Sequence, residues 1–281
     1  MLELRRLRLL RELHERGTIA AVADALQFTP SAVSQQLNLL ERETGVQLLE
    51  RAGRGVRLTD PALVLVAHAE ALLDRAARAE ADLAQATKTV SGRARIAAFP
   101  SVAIKLAIPA IERLRETALR CELIEAEPET ALPSLALGDV DLVLGDEWQH
   151  QPWKLPAGLT RHHLFDDPVL LVGSDQRLEA LAGHVWTSGH AGMAWDEMIQ
   201  RTCREHGGFE PDIRHRTNDA NVSLALVARG LAVTLLPQLA IPSGFTTRPL
   251  GVSRAILAVT RDTDASRPST QALLEAIREA T

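Results

Sequence analysis

Apolar residues recur at helical spacing through the first sixty positions. Leu4, Leu7, Leu10 and Leu13 follow at steps of three, with Leu9 adjoining and Arg5, Arg8, Glu12 and Glu15 between them. This predicts a first helix that ends before Gly17. From Thr18, a good N-cap, Ile19, Val22, Ala23 and Leu26 predict a second helix reaching about Gln27. Phe28-Thr29-Pro30-Ser31 breaks the pattern. Thr29 can cap a third helix with Pro30 at its first position, where a missing N–H costs nothing. In that helix Val33, Leu37 and Leu40 face one way, and Ser31, Ser34, Gln35 and Asn38 face the other. Gly45 suits the C-cap.

Two short apolar segments, 46–49 and 55–59, then flank Glu50-Arg51-Ala52-Gly53-Arg54, with Arg57 just beyond. They predict a hairpin with an arginine-bearing tip. Asp60-Pro61 starts another helix, and Ala62, Leu65, Ala69, Leu72, Ala76, Ala79, Leu83, Ala86 and Val90 keep alternating steps of three and four along it. This four-heptad seam of small and apolar residues fits either packing on its own domain or, the reading favoured here, pairing with a second copy. Ser91-Gly92 marks a boundary, giving regions 1–60, 61–90 and 91–281.

Beyond it strands and helices alternate. Strands are predicted over 93–99, 121–127 and 141–144, with helices over 102–116 and 130–137. A second series has strands over 168–172, 184–186, 213–216 and 232–236, with helices over 195–205 and 222–228. A strand over 255–259 and a helix over 270–280 close the chain. The alternation predicts parallel α/β sheets in two lobes, about 91–162 with 249–281 and about 163–248. The fold class is therefore α + α/β.

With 281 residues the chain has room for two or three cores, and its 46% hydrophobic and 24% charged residues are those of a globular protein. The net charge of −5 argues against a general nucleic-acid binder. Residues 1–60, however, hold nine Lys/Arg against eight Asp/Glu, so the excess acid lies elsewhere. DNA binding then requires the basic residues Arg5, Arg6, Arg8, Arg51, Arg54 and Arg57 to share one face. No charged-then-apolar leader is visible, and the apolar stretch 222–241 is interrupted by Arg229, Gly230 and Pro237. A cytoplasmic location without membrane contact is expected. Cys121 and Cys203 give neither metal spacing nor a disulfide framework. His150, His162 and His163 lack a third ligand at diagnostic spacing, so no metal and no cofactor are expected.

A helix that packs one stripe inward and offers Ser, Gln and Asn outward suits the major groove, while arginines on an adjoining wing suit phosphates. The combination is a winged helix-turn-helix. The run TPSAVSQQLNLLERETGVQLLER at 29–51, followed by GRGVRLT at 53–59, resembles the N-terminal domain of LysR-type transcriptional regulators. Three positions depart from that family's pattern: Pro30-Ser31 where Gln-Pro is frequent, Gln35 where Arg is frequent, and Leu63 where Gly is frequent. The first two alter the base-reading surface. Gly138-Asp139-Val140-Asp141-Leu142 resembles the family's G-x-x-D-L strand. The stretch from Arg229-Gly230 to Leu236-Pro237 resembles its late glycine-proline stretch, with Arg229 in place of the first glycine.

The resemblance implies a long linker helix that makes a dimer, through Leu65, Ala69, Leu72, Ala76, Ala79 and Leu83 in this chain, and a family that is commonly tetrameric. It also implies a two-lobed effector domain similar to periplasmic solute-binding proteins, and a pseudo-palindromic double-stranded DNA site. Candidate DNA contacts are Thr29, Pro30, Ser31, Ser34, Gln35, Asn38, Arg51, Arg54 and Arg57. Ligands in such sheets sit beyond strand carboxyl ends, which marks Ser101 with the Val102 amide, Ser188, Thr217 and Asn218. A plain N-cap accounts for Ser101 equally well, while the resemblance favours Ser101 and Thr217 as effector contacts. Asp146 and Glu147 read as surface loop. A Cys121/Cys203 redox sensor and an α/β enzyme are the alternatives, but no phosphate loop, nucleophile elbow or acid/base pair supports catalysis.

Overall fold

The computed structural model describes residues 2–26, 28–53, 55–87, 90–148 and 155–281. They fall into two compact units, Met1–Thr89 and Val90–Thr281.

The first unit opens with α1 (Leu4–Arg16), α2 (Ile19–Leu26) and α3 (Pro30–Thr44). Gly17, at φ 75°, stops α1, and its N–H bonds to the Leu13 carbonyl. The Thr29 hydroxyl accepts the Ala32 N–H at 3.2 Å and starts α3, and Gly45 at φ 67° ends it. Leu7, Leu10, Leu13, Val22, Val33, Leu37 and Leu40 form a shared core. The Glu41 carboxylate accepts the Leu48 and Leu49 N–H groups at 2.7 and 3.0 Å, so α3 sets where the hairpin begins. The hairpin is β1 (Leu49–Ala52) against β2 (Gly55–Leu58), with Leu49 opposite Leu58 and Ala52 opposite Gly55.

The arginines of α1 are used inside this unit. Glu12 is fully buried and accepts from Arg11 at 3.0 Å and Arg16 at 2.8 Å, with Arg8 at 4.0 Å. Arg6 donates to Gln36 at 3.1 Å and to Glu43, tying α1 to α3. Arg6 and Arg8 are therefore engaged with internal acids instead of forming a free basic face with Arg5.

The helix α4 (Asp60–Thr87) corrects the seam. Ala62, Val66 and Ala69 pack into the core with α1, and Leu65 is partly buried against it. Ala69 thus serves its own domain, and Val66 fills a place the heptad pattern had missed. Leu72 and Leu83 stay 44% and 70% exposed in the single chain. The Ala86 side chain lies outside the description, and Val90 packs in the second unit.

That unit begins with β3 (Ser91–Ala98). A continuous helix follows, α5 (Pro100–Val102) passing through a π turn at Ala103–Ala107 into α6 (Ile108–Arg113). Next come β4 (Ala118–Glu125), α7 (Pro128–Leu137), β5 (Leu142–Trp148) and β6 (Leu159–Val172). The second lobe holds β7 (Val185–Ser188), α8 (Ala194–Thr202), β8 (Asp212–Arg216), α9 (Ala220–Ala228) and β9 (Thr234–Pro237). Finally β10 (Thr247–Arg261) and α10 (Pro268–Arg278) return to the first lobe.

The six-stranded sheet has the order β4-β3-β5-β10-β6-β9. β3 pairs in parallel with β4 and β5, β7 with β8, and Trp186 of β7 bridges in parallel to Val233; β10 runs antiparallel to β5 and β6, and β6 to β9. The sheet is mixed, not parallel. The cause is two strands far longer than their apolar segments suggest, 14 residues in β6 and 15 in β10. Polar residues interrupt both, Thr160–His163 with Asp166 and Asp167 in β6 and Thr247, Arg248, Ser253 and Arg254 in β10, so hydropathy alone marks only part of each. Lobe I buries Ile96, Leu106, Leu142 and Leu144 with Ile256, Leu273 and Ile277 from the chain's last strand and helix. Lobe II packs Trp186, Ile199, Cys203 and Leu235 against Val169 and Leu171 of β6.

Glu12→Ala should destabilise the first unit by about 2–4 kcal/mol, since it leaves arginines without their buried partner. Glu15→Ala, on the exposed face, should stay within about 0.5 kcal/mol. Urea unfolding of the full chain, followed at its first transition, checks the contrast.

Candidate DNA-reading face and ligand cleft

The outward face of α3 presents Ser31, Gln35 and Asn38 exposed and Ser34 half-buried, while Val33, Leu37 and Leu40 are buried beneath. The Thr29 and Ser31 hydroxyls lie 3.0 Å apart beside exposed Pro30. Gln35 and Asn38 make no side-chain hydrogen bond among the described residues, so their donors and acceptors remain available. On the hairpin Arg51 is exposed, and Arg57 is exposed but paired with Glu50 across the strands. Arg54 lies outside the described residues. Arg5 sits over the Phe28 ring at 5.1 Å.

In the second unit the hinge strands bring together groups that the sequence did not mark. Arg254 of β10 is directly opposite Asp167 of β6 and Trp148 of β5. Its guanidinium is 5% exposed as a residue, and it donates to Asp167 from Nε at 3.0 Å and Nη2 at 2.8 Å. Nη1 donates to Asp146 at 2.9 Å, and Nη2 also reaches Ser101 Oγ at 3.3 Å. The rings of Phe99 and Trp148 lie 5.1 and 5.8 Å from it. The other Asp167 oxygen accepts the Leu239 N–H at 3.1 Å, just past β9. Burial pushes the Asp167 carboxyl up, and Arg254 and the Leu239 amide pull it back.

Asp146 and Glu147 are strand residues, not surface loop. Pairing with β10 carries β5 onward, so Asp146 opposes Ile256 and Glu147 opposes Ala255, and Glu147 accepts from Arg161 at 2.9 Å. Ser101 faces this cluster. Val102 does not: its side chain is fully buried in the lobe I core, leaving only its amide for a ligand. Glu127 lies between β4 and α7, next to Ala126, whose N–H bonds to the Ala98 carbonyl at the end of β3. The residue is exposed as a whole, yet the protein around its carboxyl, then Asp146 and Glu129, push that group up to about 7.

On lobe II the ends of β7 and β8 adjoin, with the Thr217 N–H donating to the Ser188 carbonyl at 2.9 Å. The Ser188 side chain is buried and donates to Asp196 at 2.9 Å, so it is a structural hydroxyl and not a free ligand contact. Asp196, also buried, accepts Arg216 and Gln200 at 2.8 Å each. Thr217 Oγ1 accepts the Asp219 N–H at 3.1 Å. Asn218 is exposed, and its Oδ1 accepts the His190 N–H at 2.9 Å, leaving its amide donors facing outward. Space at Gly189 is tight, since a Cβ there would meet Asn218 Oδ1 at 3.3 Å and Trp195 Cε3 at 3.4 Å.

His162 contacts Thr260 at 3.0 Å and His163 contacts Asp166 at 2.9 Å. His150 lies outside the described residues, among which no group of three His, Cys, Asp or Glu is placed to hold a metal. Cys121 packs half-buried against the lobe I core and Cys203 is buried in lobe II. Burial raises both thiols, Cys203 to about 12. No helix among the described residues is long and apolar enough to cross a membrane.

A family model described as LysR substrate binding domain matches residues 87–281. A second, the bacterial regulatory helix-turn-helix protein of the lysR family, matches residues 4–63. The chain belongs to the LysR family. It is a DNA-binding transcriptional regulator with an N-terminal helix-turn-helix domain and a two-lobed effector-binding domain. Among LysR relatives, the regulator PcaQ of Agrobacterium fabrum is 26% identical, covering 96% of this chain and 92% of its own. The dual regulator OxyR of Escherichia coli is 28% identical, covering 86% and 81%. The fold is shared with full-length OxyR from Pseudomonas aeruginosa, at TM-score 0.71 and 21% identity over 99% of this chain and 95% of that one. It is also shared with CbnR, at TM-score 0.54 and 22% identity over 98% and 100%.

A carboxyl held near 7 in the folded chain, against an ordinary 4.5, binds its proton more tightly when folded. Stability is therefore gained below this window and lost as pH rises from about 4.5 through about 7. Glu127→Gln should remove that loss, so the variant's melting temperature should gain on the wild type between pH about 5 and about 8. Parallel thermal melts across this range test it.

Proposed function

We propose that this LysR-type regulator reads a pseudo-palindromic operator with two α3 helices, held by α4 pairing between two copies in a homodimer or a tetramer built from dimers. The outward Ser/Gln/Asn face of α3 carries the reading, with Gln35 and Asn38 exposed and making no side-chain hydrogen bond among the described residues. Ser31, Ser34, Gln35 and Asn38 reach base edges, Thr29 and Pro30 set the helix entry, and Arg51, Arg54 and Arg57 meet phosphates. The exposed Leu72 and Leu83 support pairing of α4 between copies; Ala76 and Ala79 supply close approach.

A small molecule seated between the lobes against Ser101, the Val102 amide, Thr217 and Asn218 shifts the lobes and so the spacing of the reading heads. The scheme needs no bound cofactor and no catalysis, and it operates in the cytoplasm, where the DNA is. Relatives named OxyR and hydrogen peroxide-inducible genes activator suggest thiol sensing as a second reading. The raised thiols of Cys121 and Cys203, in different lobes, disfavour it because the thiolate is the reactive form.

Mobility shifts on DNA flanking the gene, over a salt series, test the regulator. Gln35→Ala should reduce discrimination between operator and random DNA by about 1–3 kcal/mol. Arg51→Ala should weaken both alike and lower the salt slope by about one. Unchanged discrimination in Gln35→Ala would move the reading face elsewhere. Peroxide should leave the operator shift unaltered; a peroxide-dependent shift would restore the thiol reading.

A further inference from the structure

Residues 1–60 carry nine arginines. Arg6, Arg8, Arg11 and Arg16 close on Glu43 and Glu12, Arg57 pairs with Glu50, and Arg5 covers the Phe28 ring. Arg51 is exposed on the hairpin, and Arg54 lies outside the described residues. The ninth is Arg42, in the last turn of α3, exposed and without an ion pair or side-chain hydrogen bond among the described residues. Acids are close by, yet they are engaged elsewhere. Glu41 accepts the Leu48 and Leu49 N–H groups, and Glu43 takes Arg6. One turn away on either side stand Asn38 and Val46, neither of them acidic.

Helical geometry puts this free charge in line with the reading face. Arg42 lies about 20° around α3 from Gln35 and about 10 Å further along it, continuing Ser31, Gln35 and Asn38 at steps of four, three and four. A major groove is about 12 Å wide. A helix whose first turns meet base edges there carries a side chain two turns onward to the groove's wall, where phosphates stand. The residue type changes at the same point. Short uncharged side chains give way to a long guanidinium, whose paired N–H groups suit two phosphate oxygens.

Arg42 also lines an open notch with Asn38, Glu41, Val46 and Gln47, between the end of α3 and the start of the hairpin. The Gln47 N–H has no acceptor among the described residues, so the notch holds a second donor. The carbonyls at the end of α3 are covered: Glu41 by the Gly45 N–H at 2.8 Å and Leu40 by the Thr44 hydroxyl at 3.0 Å. Little negative charge is left there to repel an anion.

We infer that Arg42 grips a backbone phosphate of the DNA at the rim of the major groove, with the Gln47 N–H beside it, once for each α3 bound. Arg42 is a positioning residue: it holds the reading face in register and carries no sequence information itself. The inference rests on α3 lying in the groove, which Gln35→Ala tests separately through discrimination.

Fluorescence anisotropy of two labelled duplexes, one of random sequence and one flanking the gene, tests it with the full chain over a salt series. Arg42→Gln should weaken binding to both roughly three- to tenfold, and lower the salt slope by about one for each half-site bound. Arg42→Lys keeps the charge and should keep the slope. Unchanged affinity and slope in Arg42→Gln, or a slope lost equally in Arg42→Lys, overturns the phosphate contact. Weaker binding to the flanking duplex alone, with the slope intact, makes Arg42 a base reader and overturns it too. A cation in the last turn also favours the helix dipole. A lowered melting temperature with the slope intact would leave Arg42 that role alone, against the inference.

Discussion

A guanidinium withdrawn from water stays charged only where carboxylates meet it, and the second unit is arranged around one such meeting. Arg254 and Asp167 lie opposite each other on β10 and β6, the two strands that run through both lobes. One end of this pair holds Asp146 and Ser101 in lobe I, and the other holds the Leu239 amide beyond β9 in lobe II. The pairing therefore fixes the register of the hinge strands and the positions of both cleft walls together. A slip of one residue would turn Arg254 toward the opposite face of the sheet and leave Asp167 and Asp146 without it.

In the first unit charge is divided by role. The arginines of α1 close on Glu12 and Glu43 and hold the helices in place. The face of α3 that points outward carries no charge from Ser31 to Asn38. Sequence-independent attraction and base discrimination are thus assigned to different parts, the free arginines and the uncharged turns of α3. This explains how a unit with an almost even count of acids and bases can still bind a polyanion: what matters is which arginines lack an internal partner.

Much of this was legible in the sequence because local rules suffice for it. The capping of α3 by Thr29, the stop at Gly45 and the Val33-Leu37-Leu40 stripe are decided within a few residues. The cleft was less legible. Arg254 and Asp167 are 87 residues apart and become partners only through strand register, which periodicity does not reveal. Asp146 resembled a loop residue because its strand is extended by a neighbour, β10, more than a hundred positions downstream. Ser188 looked like an open hydroxyl because nothing nearby in sequence signals that Asp196 will cover it. The heptad seam misled for a related reason: α1 takes the first turns of α4 for its own core, and no repeat within α4 can record that.

The return of β10 and α10 to lobe I has a temporal meaning. Lobe I holds both the first and the last elements of the second unit, so β5 lacks one flanking strand, and Ile96 and Leu144 lack Ile256 and Ile277, until β10 and α10 have left the ribosome. Lobe II is complete once β10 has begun. During synthesis the inserted lobe can therefore mature before the lobe that surrounds it, and the nascent chain carries the exposed β5 edge for the longest interval.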